Sequence, residues 1–218
     1  MKRFAIAAAV ISLAAGASTA HAQAATSSMT NRTRGFMLNG HLQISPGMTI
    51  KGIQAEDAGV ELGDVETKLG FGGGLQLGYG VTRMIMPYIN LDLSKQDIED
   101  EDGTGDFGVS HVELGARFNF PGSGGPVVPY LNVGVGARGL GAEDEESGED
   151  VSITGGHLAV GGGVQYFFGR KFAFDAGVQV GFGKYSTIKF GDEDTDIDSD
   201  NSVSSRIKLG VSWFPQAR

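Results

Sequence analysis

The chain has 218 residues, 36 glycines, no cysteine and a formal net charge of −9. A polyanion of this kind is a poor nucleic-acid binder, because phosphate contacts need clustered Lys and Arg, and without cysteine the fold must hold by pairing and burial alone. Beyond the N-terminus no apolar run reaches the roughly 18 residues of a spanning helix, so any membrane crossing is made by strands.

In chain order, the first segment is a leader. Lys2 and Arg3 precede an apolar run from Ala5 to Ala15, and small residues lead to Ala20-His21-Ala22. A basic start, a short apolar core and a small-residue exit predict a secretory signal peptide over residues 1–22. Residues 23–34 follow as a short periplasmic N-terminal segment. Residues 35–218 are expected to form one barrel with four long acidic surface loops. All but three of the 26 acidic residues lie in four segments, 46–67, 96–106, 139–153 and 185–201; the exceptions are Asp92, Glu113 and Asp175.

Between the acidic segments the sequence alternates with period two, the signature of strands. The first predicted strand sets Phe36, Leu38, Leu42 and Ile44 against Asn39, His41, Gln43 and Ser45. The second sets Leu69, Phe71, Leu75, Leu77 and Tyr79 against Lys68, Gln76 and glycines. The third sets Ile89, Leu91 and Leu93 against Tyr88, Asn90, Asp92 and Ser94, and the fourth sets Val112, Leu114, Ala116 and Phe118 against His111, Glu113, Arg117 and Asn119. The fifth opposes Leu131, Val133 and Val135 to Tyr130, Asn132 and Arg138. The sixth carries Leu158, Val160, Val164, Tyr166 and Phe168 on one face. The seventh opposes Phe172, Phe174, Val178, Val180 and Phe182 to Asp175 and Gln179, and the eighth opposes Ile207, Leu209, Val211 and Trp213 to Arg206, Lys208 and Ser212. Short turns (VTRM, PGSGGP, GRK) alternate with the long acidic connections.

Eight strands, with long connections on one side and short ones on the other, predict an all-β, eight-stranded antiparallel up-and-down transmembrane barrel in the bacterial outer membrane. The apolar face points to lipid. The opposite face carries charges that a soluble core would not bury without great cost, so they are assigned to the lumen. The expected lumen network is Asn39, Asn90, Asp92, Glu113, Arg117, Asn132, Asp175, Arg206 and Lys208. Tyr79, Phe118, Phe168 and Trp213 close the downward strands and form the expected aromatic girdle at the periplasmic interface. The near-repeat of PYINLD at Pro87 and PYLNVG at Pro129 belongs to a strand-entry pattern that places Asn39, Asn90, Asn132 and Asp175 at equivalent steps.

These features together, and the aromatic-ended last strand RIKLGVSWF, resemble the small bacterial outer-membrane barrels of the opacity-protein-like, OmpX and OmpA transmembrane-domain type. The resemblance is architectural and covers nearly all of the mature chain. It implies that a terminal aromatic residue is read by the barrel-insertion machinery during assembly; here Phe214 is followed by Pro-Gln-Ala-Arg, a departure. No periplasmic domain is expected after Arg218.

No catalytic motif emerges. Gly134–Gly139 matches the spacing of a dinucleotide fingerprint but leads into a run of acids instead of a helix N-terminus. Ser110 and His111 are adjacent, so their side chains leave opposite faces, and the Ser–His pair of a lipid A-modifying hydrolase is not formed. His41, His111 and His157 are expected as hydrogen-bonded lumen residues. Asp192, Asp194, Asp196, Asp198 and Asp200 place carboxylates at alternate positions, a pattern suited to weak Ca²⁺ or Mg²⁺ binding; no other cofactor is expected. The functional expectation is a non-catalytic outer-membrane surface protein, structural or adhesive, with a narrow channel for small solutes as the alternative and a lipid A-modifying hydrolase as the third reading. Expected partners are outer-membrane lipid and lipopolysaccharide, the barrel-insertion machinery, and a host or environmental ligand at the loops. Nucleic acid is not expected, and the chain is expected to be a monomer.

Overall fold

Alternation along the chain becomes closure in space. The computed structural model describes residues 32–55, 60–100, 103–122, 125–143, 150–190, 193–196, 198–199 and 201–216. The strands are β1 (Gly35–Ser45), β2 (Met48–Ala55), β3 (Val60–Gly80), β4 (Ile85–Asp100), β5 (Gly103–Asn119), β6 (Val127–Glu143), β7 (Asp150–Phe167), β8 (Phe172–Phe190), β9 (Glu193–Asp196), β10 (Asp198–Ser199) and β11 (Ser202–Trp213). Strands β3 to β8 pair in sequence, β8 pairs with β11, β11 with β1, and β1 with β3. All these pairings are antiparallel, so β1, β3–β8 and β11 form a closed eight-stranded barrel. Closure leaves no edge, the condition for a sheet to stand in hydrocarbon.

The three remaining strands extend the wall. β2 continues β1 beyond Pro46 and Gly47, and pairs with β3 and β11. Pro46 has no N–H to give the ladder, and Gly47 has φ 129°, a conformation that L side chains rarely adopt. The strand therefore bends at this pair. β9 folds back on β8, and β10 pairs with β2.

The acidic connections differ from the loops expected of them. A spanning strand needs about 9–11 residues, yet β3 has 21, β8 has 19 and β7 has 18. β4 and β5 stay paired to Asp100↔Gly103, and β6 and β7 to Glu143↔Asp150. Acidic residues mark where the wall leaves lipid, not where pairing stops. β-Branched residues such as Ile153, Thr187 and Ile188 sustain the ladder past that boundary. The expected leader at 1–22 lies outside the described residues.

Side-chain burial is inverted relative to a soluble protein. Leu42 is 74 % exposed and Leu114 65 %, while Asp92 and Glu113 are 0 % and 1 % exposed. One position departs from simple alternation: the register shifts between Thr67 and Gly70, and Lys68, expected on the inner face, is exposed.

Inward glycines make room for two tyrosines lying across the lumen. A Cβ at Gly115 would stand 2.7 Å from the Tyr88 hydroxyl, and one at Gly177 would stand 2.5 Å from the Tyr130 hydroxyl. Both are closer than real side chains approach. Gly177→Val is therefore expected to lose about 1–3 kcal/mol of stability through overpacking, whereas Gly122→Val, in a turn with nothing within 4 Å, should be neutral. The temperature at which the folded band disappears on an unboiled gel measures both.

Candidate functional site: a polar lumen sealed at both ends

Each strand sends every second residue into the lumen, and the barrel brings distant ones together. Three carboxylates organise them. Asp175 on β8 accepts from Arg117 Nη1 at 2.9 Å, Tyr130 Oη at 2.6 Å, Gln165 Nε2 at 2.9 Å and Ser212 Oγ at 3.2 Å. Arg117 also donates to Gln76 Oε1 at 2.7 Å and Asn132 Oδ1 at 3.2 Å, and its guanidinium lies 3.9 Å from the centre of the Tyr130 ring. Asn39 donates to Ser212 Oγ at 2.9 Å and stands 2.9 Å from His41 Nδ1.

Asp92 on β4 is held from β1 and β11. His41 Nε2 is 2.7 Å from Oδ1, and Arg206 Nη1 and Lys208 Nζ each donate to Oδ2 at 2.6 Å. Glu113 on β5 receives Arg206 Nη2 and Gln179 Nε2, the latter at 2.9 Å, and His157 Nε2 stands 3.0 Å away. Arg206 thus bridges two carboxylates on neighbouring strands from the other side of the lumen. Arg138 is buried at the outer end, against the Tyr185 ring at 4.4 Å and Ser202 Oγ. Its charge is met by a ring face and a hydroxyl.

Of the residues expected in this network, eight make these contacts. Asn90 is buried, but neither atom of its amide has a hydrogen-bond partner. It lines, with Asn39, Gln76 and Arg117, a cavity of about 20 Å³, about the size needed to hold a water molecule. His111 also differs from expectation. It is buried edge-on to His157, ring centres 5.3 Å apart, with both ring nitrogens unpartnered. Among the described residues no group of three His, Asp or Glu could hold a metal ion. Asp192 and Asp200, and the side chains of Asp194, Asp196 and Asp198, lie outside the described residues.

Sequence reasoning missed the two ends of the lumen. At the periplasmic end Met37, Met86, Val128, Phe167, Ala173 and Phe214 form one buried apolar cluster. At the outer end Met48, Val109, Leu140, Tyr185 and Ile188 form another. Parity alone carried the signal: Met37, Met86 and Phe167 share a face with lumen residues of their own strands. Phe214 follows the last strand residue, turns inward and packs on Phe167 at 5.3 Å, and its N–H donates to the Lys171 carbonyl at 2.7 Å. The strand thus ends on outward Trp213, and the next aromatic closes the mouth.

The other face is lipid-directed. Tyr79, Phe118, Phe168 and Trp213 are all exposed. Phe36 adds an edge contact to Tyr79 at 5.0 Å, and Phe174 lies 4.6 Å from Phe168. Aromatic rings at this end of an apolar band are the interface anchors of a membrane barrel.

A family model described as the outer membrane protein beta-barrel domain matches residues 8–213. The chain belongs to that family. It is a bacterial outer-membrane barrel, with its short turns in the periplasm and its acidic strand extensions outside. Similar solved structures include Neisserial surface protein A (NspA), 18 % identical, covering 83 % of this chain and 97 % of that one with a TM-score of 0.56. OprG from Pseudomonas aeruginosa is 14 % identical over 85 % and 98 % of the two chains, TM-score 0.58. AlkL in lipid bilayers is 16 % identical over 89 % and 96 %, TM-score 0.52. At these identities the likeness is one of fold. No curated protein matches the chain.

The geometry ranks the lumen residues of this outer-membrane barrel. Asp92→Ala strips Arg206, Lys208 and His41 of a shared buried partner and should cost about 3–5 kcal/mol. Asn90→Leu removes an amide that bonds to nothing described and should cost less than about 1 kcal/mol. Denaturant unfolding of the two variants in vesicles checks the order.

Proposed function

We propose that this barrel is a non-catalytic surface protein of the outer membrane, in which the lumen is a structural core and the acidic strand extensions make the outward contacts. The observation that carries the reading is the filled lumen: apolar clusters at both ends, cross-wall ion pairs between them, and a cavity of about 20 Å³ in the middle. A route for solutes would have to break buried pairs whose partners sit on opposite walls. Nor do the described residues supply a catalytic constellation. Ser110 faces the outer surface while His111 is buried in the lumen, so the one adjacent Ser–His pair is split between two environments.

Most of the acidic residues belong to the four segments that join the strands at the outer end. Their summed charge makes that end anionic, which repels other anions and attracts cationic partners or bridging divalent ions.

Two measurements test the proposal. In planar bilayers the purified barrel should leave the current at baseline; steady openings would establish a channel instead. Replacing the tip at residues 144–149 by Gly-Ser residues should leave the heat-shifted gel band unchanged and reduce adhesion of expressing cells to matrix proteins. If no tip replacement alters adhesion, the outer end has no such contact role.

A further inference from the structure

We propose that the periplasmic mouth of the barrel binds a carboxylate of the cell-wall polymer, received between the guanidinium groups of Arg32 and Arg170. The site rests on the placement of the barrel in the outer membrane, and not on what its outer end contacts.

The sequence divides its charge by end. No acidic residue lies in 1–55, in the β3–β4, β5–β6 and β7–β8 turns, or after Trp213. The same end carries Arg32, Arg34, Arg83, Arg170 and Lys171. The periplasmic mouth is therefore cationic, opposite in sign to the outer end.

Two of these cations share one place. Arg32 stands three residues before β1 and is held there. Thr33 Oγ1 donates to the Arg83 carbonyl at 2.7 Å, a Cβ at Gly80 would collide with the Thr33 carbonyl, and Gly35, with φ 94°, turns the chain into the strand. The Arg32 guanidinium lies 5.2 Å from the centre of the Phe167 ring, a member of the cluster that closes this mouth. Arg32 is 9 % exposed, and its Nη1 is buried without a hydrogen-bond partner. Arg170 is exposed on the β7–β8 turn. Burial first, and then the charge of nearby Arg170, hold the Arg32 guanidinium below the usual arginine range. A desolvated guanidinium beside a second cation is costly until an anion joins them. Two guanidinium forks present donors in the geometry that a carboxylate accepts.

Position narrows the source of that anion. Phe167 and Phe214 pack on each other inside the wall, so Arg32 stands over the mouth and not against lipid. Lipid headgroups surround the wall and do not reach over its opening. The recess around Arg32 admits a slender group, not the face of a folded protein. Arg34 and Lys171, exposed on the neighbouring segments, offer further charge to a chain that carries anions at intervals. The cell-wall polymer on this side of the outer membrane has those properties, since its short flexible peptide stems bear carboxylates.

The test uses the full chain in detergent, sedimented with purified cell-wall sacculi, with bound protein measured on gels. The natural chain should co-sediment. Arg32→Gln and Arg170→Gln should each weaken retention about tenfold, the loss of one charge-assisted contact. Lys95→Gln removes the same charge at an exposed position toward the outer end of β4 and should bind as the natural chain does. Amidating the carboxyl groups of the sacculi should abolish retention. Arg170→Gln alters an exposed turn residue and should fold whatever Arg32→Gln does, as the heat-dependent gel shift will show. Equal retention by the natural chain and Arg170→Gln would overturn the proposal, as would retention on amidated sacculi. An equal loss in Lys95→Gln would reduce the effect to net charge and overturn it too. Displacement by phosphatidylglycerol micelles would assign the pair to a lipid headgroup instead. A gain in retention on adding Gly-Ser residues after Arg218 would make the chain's own terminal carboxylate the anion that Arg32 meets, against the proposal.

Discussion

A peptide N–H or C=O left without a partner in hydrocarbon costs several kcal/mol, and every other feature of this barrel follows from avoiding that cost. The sheet must close, so β11 returns to β1. Closure gives each strand one face toward lipid and one toward a lumen. The outward face is therefore the apolar one, and the charges that remain in the strands can only go inside. Eight strands leave a lumen just wide enough for side chains, so those charges are forced within reach of one another. Burial then demands that they be paired.

The pairing is not local. Arg206 on β11 reaches Asp92 on β4 and Glu113 on β5, and Arg117 on β5 reaches Asp175 on β8. Each link ties one part of the wall to another that is not its hydrogen-bonded neighbour. The two apolar clusters keep water from either end, and in the resulting low dielectric such pairs are strong when complete and costly when broken. Sealing and pairing are thus one device. Met37 shows the connection directly: its sulfur belongs to the periplasmic cluster and lies 3.8 Å from Arg117 Nη1.

Much of this was legible in the sequence, because a period of two assigns every residue to a face. Strand number, closure, and the inward positions of Asp92, Glu113, Arg117 and Asp175 all come from parity. What parity does not carry is the shear of the barrel, which decides which inward residues share a level. Hence Asn90, one step from Asp92 on the same face, was expected in the network and makes no side-chain hydrogen bond, while Arg138, Gln165 and Gln179 were passed over. Strand length was misjudged for a different reason. Acids were read as the end of a strand, when they mark only the end of the lipid. Lys68 shows the remaining weakness, since one register shift puts a residue on the face its alternation denies.

The periplasmic mouth illustrates what topology adds to composition. Arg32 and Phe167 are remote along the chain, and meet only where the start of β1 and the end of β7 share one mouth. The central claim of the proposed function, however, concerns the lumen, read there as a sealed structural core. Since the chain has no cysteine, single cysteines report on access without background. Ser212→Cys and Ser204→Cys place thiols in the inner and outer halves of the lumen, both at positions no more than 5 % exposed, and Gly169→Cys places one in a periplasmic turn. With a membrane-impermeant thiol reagent applied from both sides, the sealed lumen predicts prompt labelling of Gly169→Cys and almost none of the other two. Labelling of Ser212→Cys or Ser204→Cys at the rate of the turn cysteine would contradict it.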